Sequence, residues 1–126
     1  MKNKRKVIGI GGIFFKSSNV EKLQEWYKKY LGFENVENWG KVFELKQENS
    51  SKEHYTVWGT FKDDTQYFNP SDKPYMINYV VEDLLFLVKE LKKNNIEVSE
   101  IETHDQGKFA WLVDPEGTKI ELWEPK

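Results

Sequence analysis

The sequence predicts an α+β fold of tandem βαβββ modules, and three observations predict it. Two segments with apolar residues at helical spacing each follow a β-branched run, and the other apolar residues sit in short alternating runs. The order strand, helix, strands then occurs twice along 126 residues. That length suits one domain, with module one at residues 7–62, a linker at 63–74 and module two at 75–125.

Module one opens with residues 7–16, VIGIGGIFFK, a buried strand weakened by glycines. A helix follows, with Ser18 and Glu21 as a capping box, Val20, Leu23, Tyr27 and Tyr30 on one face, and Gly32 as the stop. Alternating runs at 34–39, 40–47 and 54–61 read as three strands, with a polar loop at 48–53. Asp63, Asp64, Asn69, Pro70, Ser71, Asp72 and Pro74 make the linker rich in turn formers. Residues 75–82 then read as a strand and 83–95 as a helix through Leu84, Leu87, Val88 and Leu91, followed by three more strand-like runs. Laying Gly12 on Met76 also lays Asn19-Val20 on Asp83-Leu84 without a gap, and Gly40-Lys41-Val42-Phe43-Glu44-Leu45 matches Gly107-Lys108-Phe109-Ala110-Trp111-Leu112 in pattern. In Asp114-Pro115-Glu116-Gly117 the proline and glycine dictate a tight turn.

Composition narrows the function classes. With 19 Lys and Arg against 21 Asp and Glu, nothing calls for a polyanion, so neither nucleic acid nor membrane is an expected partner. The lysine-rich start from Lys2 to Lys6 reads as a solvated tail, and Lys28-Lys29 and the run from Lys89 to Lys93 as outer helix faces. No cysteine is present, which removes disulfides, thiolate metal sites and thiol nucleophiles. No apolar run has the length of a signal or membrane segment, so a cytoplasmic location is expected and the Asn49-Ser50-Ser51 sequon needs no glycan.

Several of these segments together resemble one family. The paired βαβββ order, Tyr30-Leu31-Gly32-Phe33, Val80-Val81-Glu82-Asp83-Leu84 and the ending from Asp114 to Trp123 resemble the vicinal oxygen chelate superfamily, which includes glyoxalase I, bleomycin-resistance proteins, fosfomycin-resistance transferases and extradiol dioxygenases. The resemblance covers residues 7–125 and implies a curved mixed-sheet cup with the helices outside, and a homodimer. In metal-using members, His or Glu from the first and last strands of the modules holds a divalent ion. Gly12, Met76 and Glu121 occupy three of those positions here, and Thr56 falls near the fourth. Glycine and methionine cannot replace imidazole, and one carboxylate does not hold a dication, so no metal or other cofactor is expected. His54 and His104 read as strand-end residues, which leaves a divalent metal on His104 and Glu121 as the alternative.

Alternation assigns the rest of the site. If Glu121 points into the cup, Lys119 and Trp123 share its face while Ile120 and Leu122 pack under the helices. By the family's inward positions the cup is lined by Gly12, Phe14, Met76, Asn78, Phe109 and Trp111, by Glu44 as the repeat partner of Trp111, and by Trp58 as that of Trp123. A carboxylate among rings is suited to proton transfer near neutral pH, which makes Glu121 the candidate catalytic residue. The alternative is a relic paired with Lys119, Lys108 or Lys126, and the three tryptophans read also as core filler. The expected function is a glyoxalase- or bleomycin-resistance-like protein whose aromatic, metal-free cup binds a small planar or cationic molecule. The alternatives are a lyase, isomerase or dioxygenase-type enzyme using Glu121 as base or in an atypical metal site, and a ligand-free structural dimer.

Overall fold

The computed structural model describes residues 6–46 and 53–126. The sequon and the predicted polar loop at 48–53 lie outside the described residues, apart from the backbone of Glu53, as does the lysine-rich start before Lys6. The elements are β1 (Val7–Ser17), α1 (Val20–Leu31), β2 (Gly40–Lys46), β3 (Glu53–Lys62), β4 (Tyr75–Val81), α2 (Leu84–Lys93), β5 (Glu102–His104), β6 (Gly107–Val113) and β7 (Lys119–Pro125). No helix among the described residues is long and apolar enough to cross a membrane.

One seven-stranded mixed sheet runs in the order β2-β3-β1-β4-β7-β6-β5. Its centre is the antiparallel β1–β4 pair, and outward from it β1 pairs parallel with β3 as β4 does with β7. The two halves are thus copies of one arrangement. Each helix begins at the same point of its copy, with Asn19 accepting from Lys22 N at 3.0 Å and Asp83 from Phe86 N at 3.1 Å. The first cap is therefore Asn19 rather than the predicted Ser18; Ser17 instead accepts from Asn19 N. Gly32 ends α1 in the left-handed region, at φ 69°.

Gly40 and Gly107 open β2 and β6 at the same φ of 135°, and a Cβ on either would fall on a backbone carbonyl oxygen, that of Trp58 or that of Glu124. This fixes the repeat register and corrects the sequence reading of it. Trp58 corresponds to Glu124, not to Trp123. Likewise Glu44 faces Tyr55 as Trp111 faces Glu121, so Tyr55 rather than Thr56 is the counterpart of Glu121. The predicted strand at 34–39 is also absent. Residues 34–39 carry Asn35 at φ 57° and make only an isolated bridge from Glu37 to Gly40, because a left-handed residue breaks an extended run.

The core sits between α2 and its half of the sheet. Leu84, Leu87 and Val88 of α2 pack with Val81, Ala110 and Leu122, and Leu112 and Ile120 close against them. Burying a leucine such as Leu84 or Leu122 is worth roughly 1.5–3 kcal/mol. The other half packs differently. Trp58 meets Tyr27 at 4.8 Å and Phe33 at 5.0 Å between ring centroids, and Phe43 lies 5.2 Å from Phe33. In α1 Gln24 is buried, its amide satisfied by Glu37 O, Asn38 O and Thr60 Oγ1 at 3.0–3.2 Å. Tyr30, predicted on the inner face, is 60% exposed and packs at a tilt against Trp26.

Candidate functional site

Strand pairing sets Asn78, Glu121 and Trp111 side by side across β4, β7 and β6. All three rise from one face of the sheet, and their polar groups converge. Asn78 Nδ2 donates to Glu121 Oε1 at 2.6 Å, and Trp111 Nε1 donates to Oε2 at 2.8 Å. The Tyr67 hydroxyl also donates to Oε2. Glu121 is 3% exposed, so these three donors stand in for its lost water and fill three of about four lone-pair positions. Its partners are two neutral side chains of the sheet and one from the segment between β3 and β4, rather than Lys108, Lys119 or Lys126. Among the described residues the buried Asn78 Oδ1 has no hydrogen-bond partner, and turning the amide would set one acceptor against another.

Above this floor lies an open cavity of about 550 Å³. Its inner wall is Phe14, Phe61, Tyr67, Phe109 and Trp111, and its rim carries Glu102, His104 and Gln106. The ring planes of Phe109 and Trp111 are 12° apart with centroids at 6.3 Å, and Trp123 continues the series at 4° and 6.1 Å from Phe109. Across the cavity Phe61 and Tyr67 are stacked at 5.5 Å and 5°. Lys119 Nζ sits over the rings of Tyr67 and Trp111, at 5.1 and 5.8 Å, and donates to Tyr67 O at 2.6 Å.

The Tyr67 phenol and the Lys119 ammonium are shifted. Burial, then the adjacent Glu121 charge, raises the Tyr67 phenol well above its ordinary value near 10. Burial lowers the Lys119 ammonium below its ordinary value, opposed by the attraction of Glu121.

Of the residues predicted to line the cup, the structure brings Phe14, Phe109, Trp111 and Glu121 to the cavity wall. Asn78 stands behind Glu121, Met76 is fully buried opposite Phe14, and Trp123 backs Phe109 outside the cavity. Glu44 is exposed on β2, at the far end of the sheet. Trp58 is on the other face, among Phe15, Tyr27 and Phe33, as its correspondence to Glu124 requires. Tyr67 and its fully buried neighbour Phe68 were not foreseen as site or core residues. Two adjacent aromatics within an otherwise polar 63–74 were the available signal.

A divalent ion does not fit the residues around Glu121. At the first-strand position, a Cβ on Gly12 would stand 3.0 Å from the Phe14 ring, so that ring fills the space a ligand side chain would take. Met76 offers no hard donor, and N–H and O–H groups already point at both carboxylate oxygens. Among the described residues no group of three His, Asp or Glu is placed to hold a metal. His104, on the rim, lies 3.0 Å from Glu102 Oε1; the side chain of His54 is outside the described residues.

No protein-family model and no curated protein sequence matches the chain. Solved structures do. A Streptomyces coelicolor methylmalonyl-CoA epimerase in complex with 2-nitronate-propionyl-CoA aligns with a TM-score of 0.64 at 14% identity, over 94% of this chain and 95% of that one. Methylmalonyl-CoA epimerase from Mycobacterium tuberculosis aligns with 0.59 at 15%, over 100% and 93%. A Legionella pneumophila protein described as an NAD-dependent benzaldehyde dehydrogenase aligns with 0.55 at 15%, over 91% and 98%. Neighbours of such different description, at such identities, speak to architecture and not to activity. The chain has the fold of the vicinal oxygen chelate superfamily, of which methylmalonyl-CoA epimerase is a member.

Proposed function

We propose that this protein binds a small planar molecule in the ring-lined cavity, without a metal and without turning it over. The observation that carries this reading is the state of Glu121. Buried and holding three donors, it fixes Tyr67, Asn78 and Trp111 in place and has little capacity left for a cation or a substrate proton. The parallel rings of Phe109 and Trp111 offer a flat guest an apolar platform with the few polar groups such pockets use for orientation. Structural neighbours that hold coenzyme A esters lend support to a small-molecule cup in this fold.

One observation favours a second reading, in which Glu121 moves a proton: it borders the cavity and keeps a lone-pair position free. The first reading also includes a cytoplasmic homodimer, consistent with the exposed Val7, Ile8, Ile10 and Ile13 of β1.

Elemental analysis of protein purified without added metal, followed by thermal melting with Mn, Fe, Co, Ni and Zn, tests the metal-free part. The expectation is less than about one tenth equivalent bound and no stabilisation, since a tight site would raise stability by several kcal/mol at saturating metal. Near-stoichiometric metal lost on Glu121→Ala would overturn it. Glu121→Gln separates binding from catalysis, because turnover lost with binding retained would establish the proton-transfer reading.

A further inference from the structure

The charges around the cavity are not equally available to a guest. Glu121 is enclosed and has three hydrogen-bond donors on its oxygens. On the rim, Glu102 is engaged by His104 Nε2 at 3.0 Å. Lys119 differs from both. Among the described residues its Nζ donates once, to Tyr67 O, and no carboxylate forms an ion pair with it, although an ammonium has three N–H bonds. It also sits on the faces of Tyr67 and Trp111. The seat that a cationic guest would take on those rings is therefore filled by the protein's own cation, which would repel a second.

We infer that the guest is a planar aromatic acid, its ring against Phe109 and Trp111 and its carboxylate on Lys119 Nζ. This rests on the cavity being a binding cup, keeps the planar guest and replaces the cationic alternative by an anionic one. Desolvation works in the same direction. The partly buried ammonium, which burial alone destabilises, regains stabilisation when a carboxylate replaces its missing water. Glu121 stabilises the ammonium from below without competing for the guest, because its own oxygens point into Tyr67, Asn78 and Trp111.

The test compares three probes of one shape by isothermal titration calorimetry: 2-naphthoate, neutral 2-naphthamide and cationic 2-naphthylmethylammonium. The wild-type protein is expected to bind the acid about tenfold more tightly than the amide, the scale of one charge-assisted hydrogen bond at a partly exposed site, and the ammonium least. Lys119→Met should erase the difference between acid and amide, while Lys119→Arg keeps the preference. Equal or tighter binding of amide or ammonium by the wild type overturns the inference, whether or not the variants fold. So does an acid preference that survives in Lys119→Met. If amide and ammonium bind without acid preference and lose affinity in Trp111→Ala, the aromatic acid fails and the binding cup stands. If none of the three binds, the cup reading fails with it.

Discussion

Tyr67→Phe isolates the bond that ties the segment between β3 and β4 to the sheet. The variant keeps the ring stacked 5.5 Å from Phe61 and removes only the hydroxyl that donates to Glu121. A hydrogen bond to a charged group is worth about 1.5–3 kcal/mol, and Tyr67 is 38% exposed, so water can partly replace it; the low end, about 1.5 kcal/mol, is the expected loss. For a chain of this size that corresponds to a fall in Tm of about 5 °C. Urea denaturation of both proteins from pH 7 to pH 11 measures it. The folded-state pKa of Tyr67 is raised, so its contribution is complete below about pH 10 and is lost as pH climbs toward the higher folded value. The gap between wild type and variant should hold steady to about pH 9 and shrink toward zero by about pH 11. Equal stability at pH 7, or a gap constant to pH 11, would show that the hydroxyl does not hold Glu121 and that the Tyr67 wall is not anchored.

Two further substitutions test the packing around the site. Trp58→Ala should cost about 3–5 kcal/mol by emptying the space between Tyr27 and Phe33, with unchanged 2-naphthoate affinity in the folded fraction; a small stability loss with binding abolished would return Trp58 to the cup. Gly107→Ala should lower stability by at least about 2 kcal/mol in urea denaturation, because φ 135° and the Glu124 carbonyl leave no place for a Cβ; an unshifted midpoint would mean that the turn is not constrained.

The repeat was legible in the sequence because its marks are local. Asn19 and Asp83 cap helices, Gly40 and Gly107 open strands, and Asp114 to Gly117 turn a corner, the caps and the turn through contacts within four residues of the chain. The face of each strand in module two was legible for a related reason. Leu112, Ile120 and Leu122 reach the core and Trp111 and Glu121 the cup, as alternation anchored on the ending requires. In module one the same rule was anchored a residue away, and with a period of two that slip moved Trp58 to the wrong side. The partners of Glu121 were harder to read. Tyr67 lies 54 residues from it in the chain, and only the folded path of 63–74 brings them together. Trp111 is also more than a cavity wall, since its Nε1 donates to a buried carboxylate.

The guest is expected on Trp111, on one face of the sheet, with Trp26, Trp39 and Trp58 apart from it. The chain has five tryptophans, so a proton–nitrogen correlation spectrum has five indole N–H signals to read, assigned by Trp→Phe variants. Titration with 2-naphthoate tests the claim most directly. The Trp111 signal should move most, as a ring enters beside a donor held 2.8 Å from Glu121, and those of Trp26, Trp39 and Trp58 should stay in place. Movement of Trp58 with Trp111 unmoved, or no movement at all at saturating probe, would contradict the account.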